Sequence, residues 1–369
     1  MRGCLSAETR FDRVGYALIG FGQIAAQRLA REGFGLDRSR FAPLAEARLV
    51  GATDVNPARR EAVELLGLKW YPDAEAIWGD PGVDAVMVAS NNASHFALAE
   101  AALLRGRHVL VEKPMATNSR DAKRLCWLAA ERRLSLAVNH MMTENVFNQA
   151  ARGICVGGGL GEIKDAVFHM EFLYGSTPEE STSWRCARRE EMGGPIGDVG
   201  SHCLYMAEFL LNDRIAAVAC VYYPKTMSTV VEDGAHIRYR LRGGLTGSIR
   251  VAFCEPRGSL PATLDNLGYE IYGTAGVLRG RATLFQLSGH DGEPVQQQLI
   301  HETADRCEEV SVPPPVNIYQ AVIRRHAHSV LEGEPLGGWD GQRNVRLVEW
   351  CHASAQSGGE WREVKDDRQ

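Results

Sequence analysis

Short apolar runs alternate with amphipathic segments through the first third of the chain. The apolar runs predict strands at 14–19, 48–53, 83–89, 108–111 and 134–138. The segments between them predict helices at 56–66, 95–105 and 119–132, with another helix opening after Gly20. This alternation predicts a parallel sheet covered on both faces, whose ligands bind at the carboxyl ends of the strands.

Beyond residue 140 the pattern changes. Strands predicted at 164–174, 216–223, 235–241, 245–253 and 269–273 follow one another with few helices between them. Such a run favours an open, largely antiparallel sheet. The clearer helices of this part lie at 202–211 and 318–331. The predicted fold class is therefore α/β, with a parallel-sheet domain over 1–139 and an α+β domain over 140–369. The helix at 318–331 is expected to pack back on the first domain.

Composition narrows the function classes. A length of 369 residues favours two domains, and 45% hydrophobic with 24% charged residues is ordinary for a globular protein. A net charge of −5 argues against a nucleic-acid partner. Nine scattered cysteines without a Cys-x-x-Cys pair favour reduced thiols in the cytoplasm, and no metal-ligand spacing occurs. No signal peptide or membrane helix is expected.

The turn after the first strand carries a dinucleotide-binding fingerprint, Gly20-x-Gly22-x-x-Ala25. The first glycine allows a tight turn, and the second lets the backbone approach a pyrophosphate at a helix N-terminus. A glycine turn of no consequence is the alternative for a lone match. Here a strand precedes the motif and a helix follows it, which is the context that a Rossmann domain requires.

Two further segments follow strand ends. Asp54 closes the second strand, where a carboxylate would bind an adenine-ribose diol and repel a 2′-phosphate, favouring NAD over NADP. Its alternative is a turn or N-cap aspartate. The polar run at 90–95 follows the third strand, where it could line the cofactor or form a capped turn.

Two more motifs carry acid/base chemistry. Lys113, in Glu112-Lys113-Pro114, lies where the strand at 108–111 ends and could polarise a substrate hydroxyl, unless it is an exposed lysine paired with Glu112. Asp198 and His202 are four residues apart and share a helix face. An imidazole suits removal of a hydroxyl proton, with the carboxylate orienting it. The alternative is an N-cap aspartate beside a helix-face histidine.

In this order the motifs resemble the Gfo/Idh/MocA family of oxidoreductases, which includes inositol dehydrogenases and glucose-fructose oxidoreductase. The matching segments span nearly the whole chain, at 20–22, 54, 92–95, 112–114, 158–163, 184–185, 198–202 and 272–276. The Glu-Lys-Pro and Asp-x-x-x-His elements together are specific. The resemblance implies that Lys113, Asp198 and His202 act on substrate, with His202 as general acid/base and a cis bond before Pro114.

The resemblance also implies the contacts of each domain. Cofactor contacts would fall on Gly20, Phe21, Gly22, Gln23, Ile24, Asp54, Ser90, Asn91, Asn92, His95, Glu112 and Lys113. Substrate contacts would fall on Lys113, His140, Trp184, Arg185, Asp198 and His202. The outer face of the second sheet would pair subunits into a homodimer or homotetramer. Family substrates are mostly sugars, cyclitols and their derivatives.

Three departures from the family pattern border the substrate side. Pro195 replaces a common third glycine, and Tyr205 stands three residues after the histidine, where aspartate is frequent. The run at 139–142 lacks an arginine–phenylalanine pair found in many relatives. These departures do not alter the predicted acid/base residues, but they leave the substrate undefined.

The sequence therefore predicts an NAD(P)-dependent oxidoreductase that moves a hydride between nicotinamide and a hydroxyl or carbonyl carbon of a sugar, cyclitol or related polyol. NAD is favoured, with NADP as the second option. Two alternatives remain open: a dinucleotide- and sugar-binding regulator without turnover, and an NAD-dependent glycoside hydrolase that regenerates its cofactor. Retention of all three acid/base residues argues against the regulator.

Overall fold

A computed structural model of the protein describes residues 13–254, 266–282, 289–290, 292–293 and 297–365. These residues form two compact units. The first unit contains the chain up to residue 116 together with residues 121–139 and 319–341. The second unit contains residues 117–120, residues 140–318 and the chain from residue 342 onward.

The first unit is built on a six-stranded parallel sheet in the order β3-β2-β1-β4-β5-β6. Its strands are β1 Val14–Ile19, β2 Ala47–Thr53, β3 Lys69–Trp70, β4 Ala85–Val88, β5 His108–Val111 and β6 Leu136–Val138. Every residue of β1, β4 and β6 is buried, as expected for a sheet covered on both faces. The predicted parallel sheet is confirmed.

Helices connect these strands on the sheet faces. They span Ile24–Gly33, Pro57–Arg59, Arg60–Glu64, Ala74–Trp78, Asn92–Leu104, Ser119–Arg132 and Ile318–Leu331. The helices predicted at 119–132 and 318–331 match residue for residue. The single helix predicted at 56–66 is instead a short 3₁₀ turn followed by one α-helical turn and a half. The side chain of Asn56 caps the first, and Gly67, with a φ of +72°, follows the second.

The returning C-terminal segment is bonded into the first unit. The Tyr16 hydroxyl and His326 Nδ1 are 2.6 Å apart, and the hydroxyls of Ser135 and Ser329 are also 2.6 Å apart. A parallel β-bridge joins the start of β6 to Gly337. The helix Ile318–Leu331 is thus, from its second residue, part of the first unit.

The second unit contains a nine-stranded sheet in the order β14-β13-β12-β11-β7-β10-β9-β8-β15. Its strands are β7 Ile163–Glu171, β8 Ile215–Tyr222, β9 Gly234–Leu241, β10 Thr246–Ala252, β11 Leu267–Gly273, β12 Val277–Ala282, β13 Gln297–Glu302, β14 Cys307–Glu309 and β15 Arg362–Glu363. Among the described strands β7 and β10 pair in parallel and the other pairs are antiparallel, which confirms the predicted sheet type.

One face of this sheet carries the apolar core. Four side chains of this core, one from each of four strands, are at most 1% exposed: Phe168, Ile237, Ile249 and Ile271. The helices of the second unit span Met141–Glu144, Val146–Val156, Pro178–Thr182, Trp184–Ala187, Arg189–Glu191, Ile196–Gly200, Ser201–Leu211 and Trp339–Gln356. Of these, the sequence pattern predicts only the helix beginning at 201–202; β12 to β15 are also additional to the predicted strands.

Among the described residues, no helix is both long enough and apolar enough to cross a membrane.

Candidate active site

The turn after β1 contains two glycines with different steric requirements. Gly20 has a φ of +93°, and a Cβ there would lie 2.7 Å from the carbonyl oxygen of Ala89. Only glycine fits without displacing the backbone at the end of β4. At Gly22 a Cβ would meet no described atom within 4 Å. The backbone at Gly22 is therefore accessible to a ligand, as the pyrophosphate role of the second glycine requires.

The helix Ile24–Gly33 begins directly after this turn. Gln23 and Ile24 are exposed, and Ile24 keeps 42% of its surface accessible. The first-turn amides of a helix have no intrahelical acceptor, and they form a natural anion site. Open space at Gly22, unsatisfied amides and an exposed apolar side chain together suit the phosphates and rings of a dinucleotide.

Asp54 ties the end of β2 to this turn. Its Oδ2 accepts the Phe21 amide at 2.6 Å, and its Oδ1 accepts the Asn56 amide at 2.8 Å. The turn role considered for Asp54 is therefore present. A carboxylate has about four acceptor sites, so two backbone bonds leave capacity for a ribose diol. The ribose role stays a prediction.

The polar run after β4 holds loops together. The hydroxyls of Ser90 and Ser94 are 2.7 Å apart, and Ser94 Oγ also donates to the Asn91 carbonyl at 2.9 Å. His95 is 1% exposed; its Nδ1 lies 2.7 Å from the Pro114 carbonyl and its Nε2 lies 3.2 Å from the Ser90 carbonyl. Burial lowers the pKa of His95, whereas its two carbonyl contacts favour the protonated ring. A neutral ring donates to only one of the two carbonyls, and in either state His95 lies between the two strand-end loops. Asn92 is 6% exposed within the same helix turn.

The Glu112-Lys113-Pro114 segment follows β5. The Lys113–Pro114 peptide bond is cis, as the family resemblance implies. Glu112 Oε1 accepts the Asn139 carboxamide at 2.6 Å, and burial raises the pKa of Glu112. Asn139 is fully buried. Sequence reasoning did not single out this asparagine, although its position directly after β6 places it at the same carboxyl edge of the sheet.

Asp198 and His202 lie at the start of a helix in the second unit. Asp198 belongs to the wide-turn segment Ile196–Gly200, which continues into Ser201–Leu211. The Asp198 side chain is 9% exposed, and its Oδ2 accepts Arg185 Nε at 3.0 Å. Asp198 raises the pKa of Arg185, whose guanidinium also lies 4.6 Å from the ring centroid of Trp184. The structure thus brings together Trp184, Arg185 and Asp198.

Two glycines before Asp198 are required by packing. A Cβ at Gly193 would lie 2.6 Å from the Trp184 carbonyl oxygen. Gly194 has a φ of +87°, and its Cβ would lie 2.5 Å from Glu232 Oε1, which also accepts the Ile196 amide at 3.2 Å. Neighbouring protein atoms therefore explain both glycines.

His202 has an aromatic environment. Its Nδ1 lies 2.8 Å from the Tyr205 hydroxyl, and Tyr205 stacks on His140 with ring centroids 4.2 Å apart. His202 is 5% exposed and His140 is 3% exposed. Orientation of His202 by Asp198 stays a prediction. Tyr205 was recognised in the sequence only as a departure from the family, and only the i, i+3 spacing to His202 signals this contact.

Each unit thus gathers its own predicted residues. In the first unit the cofactor candidates follow the ends of β1, β2, β4 and β5, four strands that are neighbours in the sheet. In the second unit His140, Arg185, Asp198 and His202 surround the start of Ser201–Leu211. Among the described residues no group of three or more His, Cys, Asp and Glu side chains is arranged to hold a metal ion.

Comparison with known proteins identifies the family. Residues 14–140 match the family described as oxidoreductases with an NAD-binding Rossmann fold, and residues 148–279 match the GFO/IDH/MocA C-terminal domain. The chain is 31% identical over 268 residues to 1,5-anhydro-D-fructose reductase of Ensifer adhaerens, covering 72% of this chain and 74% of that protein. The chain belongs to the Gfo/Idh/MocA oxidoreductase family. It is an NAD(P)-dependent oxidoreductase, as the sequence predicts.

Two solved structures share the fold along nearly the whole chain. Aldose-aldose oxidoreductase of Caulobacter crescentus has a TM-score of 0.80 at 23% identity, covering 95% of this chain and 100% of that one. An inositol dehydrogenase homolog of Azotobacter vinelandii, solved with NAD⁺, has a TM-score of 0.75 at 24% identity, covering 96% and 98%.

Proposed function

We propose that this Gfo/Idh/MocA protein transfers a hydride between NAD(P) and a hydroxyl or carbonyl carbon of a sugar, cyclitol or related polyol. The observation that carries the proposal is the start of the helix Ser201–Leu211. There, a buried aspartate and a buried histidine are each held by a separate partner, Arg185 and Tyr205. A fixed imidazole is what abstraction of a hydroxyl proton requires.

The residues of the first unit fit a dinucleotide. The open backbone at Gly22 and the amides that follow it, at Gln23 and Ile24, would hold the pyrophosphate, with Gly20 and Phe21 shaping the turn. Asp54 would accept the adenine-ribose hydroxyls, which favours NAD over NADP. Further contacts would come from the strand-end loops, at Ser90, Asn91, Asn92, Glu112 and Lys113, while His95 holds two of these loops in place. When bound, the nicotinamide supplies the hydride acceptor or donor.

The remaining chemistry belongs to side chains. Lys113 would donate a hydrogen bond to the reacting oxygen and stabilise its developing negative charge. His202 would take the hydroxyl proton during oxidation and return it during reduction. Asp198 would stabilise the imidazolium while Arg185 keeps the carboxylate in place. His140, Trp184 and Arg185 are proposed to border the substrate. In this assignment, the functional division falls at residues 139 and 140, with the helix from 318 serving the cofactor domain.

The substrate class rests on a relative and on the site. The Ensifer adhaerens relative is named as a reductase of 1,5-anhydro-D-fructose, a sugar derivative. A cation–aromatic pair, Arg185 on Trp184, beside the buried carboxylate of Asp198 suits a polyhydroxylated ligand.

The test mixes purified protein with NAD⁺, and separately NADP⁺, against a panel of sugars and cyclitols, following the absorbance of the reduced nicotinamide. We expect turnover with NAD⁺ that is lost in Lys113→Ala and in His202→Ala. Lys164→Ala is the matched control, because Lys164 is exposed on β7 and paired with a surface carboxylate, Glu162. Full turnover in His202→Ala would remove the imidazole from the mechanism.

Two other outcomes would favour different functions. Cofactor binding without turnover on any panel member would favour a sugar-binding regulator. Cofactor retained through purification, with hydrolysis of a glycoside and no net reduction of added NAD⁺, would favour a redox-assisted hydrolase. We also propose a homodimer or homotetramer formed through the outer face of the nine-stranded sheet, working in the cytoplasm. Light scattering of the purified protein measures the assembly directly.

A further inference from the structure

The catalytic histidine candidate has an uncharged partner on its Nδ1. The Tyr205 hydroxyl lies 2.8 Å from His202 Nδ1, and the two rings meet edge-on with centroids 5.5 Å apart. Both side chains are buried, at 5% and 7% exposure. At this depth an imidazole nitrogen needs a partner, and the phenol is one that this helix itself supplies from the next turn.

Tyr205 is in turn held by a second ring. His140, which precedes the 3₁₀ segment Met141–Glu144, stacks on it with an interplanar angle of 18°. The stacking fixes the plane of the phenol and therefore the direction of its hydroxyl.

We propose that Tyr205 is the positioning residue for His202 and that His140 supports it by stacking. The phenol oxygen accepts Nδ1–H of His202, so Nε2 is the nitrogen that exchanges the proton with the substrate. This inference rests on the acid/base role proposed for His202.

The proton balance is complete in both directions. In oxidation the substrate O–H proton moves to the Nε2 lone pair as the hydride leaves the same carbon for the nicotinamide. The resulting imidazolium carries a proton on each nitrogen, and Nδ1–H still donates to the phenol. In reduction Nε2–H returns its proton to the forming alkoxide. Tyr205 therefore fixes the tautomer and the ring orientation in both charge states without placing a negative charge beside the imidazole.

Other groups around His202 contribute to the electrostatic environment of its ring. Asp198 lies four residues earlier and is paired with Arg185. His202 also lines a small cavity together with Cys203, Tyr269 and Arg281. Burial raises the pKa of the Cys203 thiol and of the Tyr269 phenol, so neither ionises near neutral pH. The charged groups described around His202 are Asp198, Arg185 and Arg281, and in the proposed function Lys113 bonds the same substrate oxygen.

The test is the pH profile of kcat/KM for oxidation in wild type, Tyr205→Phe and Tyr205→Asp. Phenylalanine keeps the stacking but removes the acceptor, so kcat should fall about tenfold or more with little change in KM. The rising limb should move to lower pH because the imidazolium loses a partner. Aspartate adds a negative charge, so the limb should move to higher pH by about one unit. A purely structural role would not produce opposite shifts.

One control variant sharpens the test. Tyr222→Phe removes a phenol–imidazole contact of the same length, since the Tyr222 hydroxyl lies 2.8 Å from His352 Nδ1, and should leave the profile unchanged.

The outcomes separate this inference from the proposed function. A wild-type profile in Tyr205→Phe, with His202→Ala inactive, would overturn the positioning role and leave the proposed function standing. If Tyr205→Phe fails to fold, ¹⁵N NMR of the His202 ring in wild type decides: protonation at Nδ1 in the neutral form supports the inference, and protonation at Nε2 overturns it.

Discussion

Gly20 and Gly22 are two residues apart, yet alanine at each should change a different property of the protein. At Gly20 alanine must adopt a φ of +93°, which costs about 1–2 kcal/mol. Its Cβ would also lie 2.7 Å from the Ala89 carbonyl oxygen and from the Ser90 amide nitrogen, and displacing packed atoms costs about 1–3 kcal/mol more. Gly20→Ala should therefore lower the free energy of unfolding by roughly 2–5 kcal/mol.

At Gly22 the expected effect is on binding. A Cβ there meets no described atom within 4 Å, and the φ lies outside the left-handed region. The free energy of unfolding should stay equal to wild type or rise by up to about 1 kcal/mol, because alanine restricts the unfolded chain. The methyl group would instead occupy the approach to the pyrophosphate. Dinucleotide affinity should fall at least about tenfold, which corresponds to about 1.4 kcal/mol.

Two assays on the same preparations separate these effects. Urea denaturation followed by far-ultraviolet circular dichroism gives the free energy of unfolding, and fluorescence titration with NADH gives the dissociation constant. Wild-type NADH affinity in Gly22→Ala would contradict placement of the pyrophosphate at this turn. Wild-type stability in Gly20→Ala would contradict the steric argument for the first glycine.

Three further predictions follow from particular contacts. The effects of Arg185→Gln and Asp198→Asn on the free energy of unfolding, measured by urea denaturation, should be non-additive by about 1–2 kcal/mol. This coupling is smaller than for a fully buried pair because the Arg185 side chain is 34% exposed. Additive effects in the double variant would contradict the ion pair. Burial lowers the pKa of His326 to about 3. As pH falls from the ordinary histidine value toward 3, the unfolded state therefore takes up a proton before the folded state does. The free energy of unfolding should decrease over this range by up to roughly 4 kcal/mol. His326→Gln should lose less stability over this range, and an equal loss would exclude His326 as the cause. Asp54→Asn keeps an acceptor for the Phe21 amide but removes the charge, so the ratio of kcat/KM with NAD⁺ to that with NADP⁺ should fall about tenfold; an unchanged ratio would assign Asp54 to the turn alone.

Local patterns predicted continuous apolar strands and long amphipathic helices. The strands at 14–19 and 108–111 and the helices at 119–132 and 318–331 match the structure residue for residue. The helix Val146–Val156 was missed, although Asn145 caps it by accepting the Phe147 amide at 2.9 Å. Strands β12 to β14 mix buried and exposed positions or are short, and their pairing with distant strands supplies the stability that their own residues lack.

The candidate site was predictable where a motif names a residue, and less so where a contact defines it. Gly20, Lys113, Asp198 and His202 follow from spacing and from family order. The partners of these residues depend on tertiary contacts between separate segments. Asn139 contacts Glu112 across 27 positions, and no local pattern signals it. The two glycines before Asp198 likewise owe their steric requirement to Glu232 and to nearby carbonyl groups, which no motif names.

The discontinuity of the first unit has a consequence for how the protein is made. Its sheet ends at Val138, but Tyr16 in the first strand and Ser135 beside the last strand depend on His326 and Ser329 for their partners. During synthesis these partners leave the ribosome only after strands β7 to β14 of the second sheet have been translated. A nascent chain that stops at residue 139 therefore exposes the surface of the first unit that the segment 319–341 covers. The cofactor domain begins first and is completed nearly last, so an N-terminal fragment is an unfinished domain.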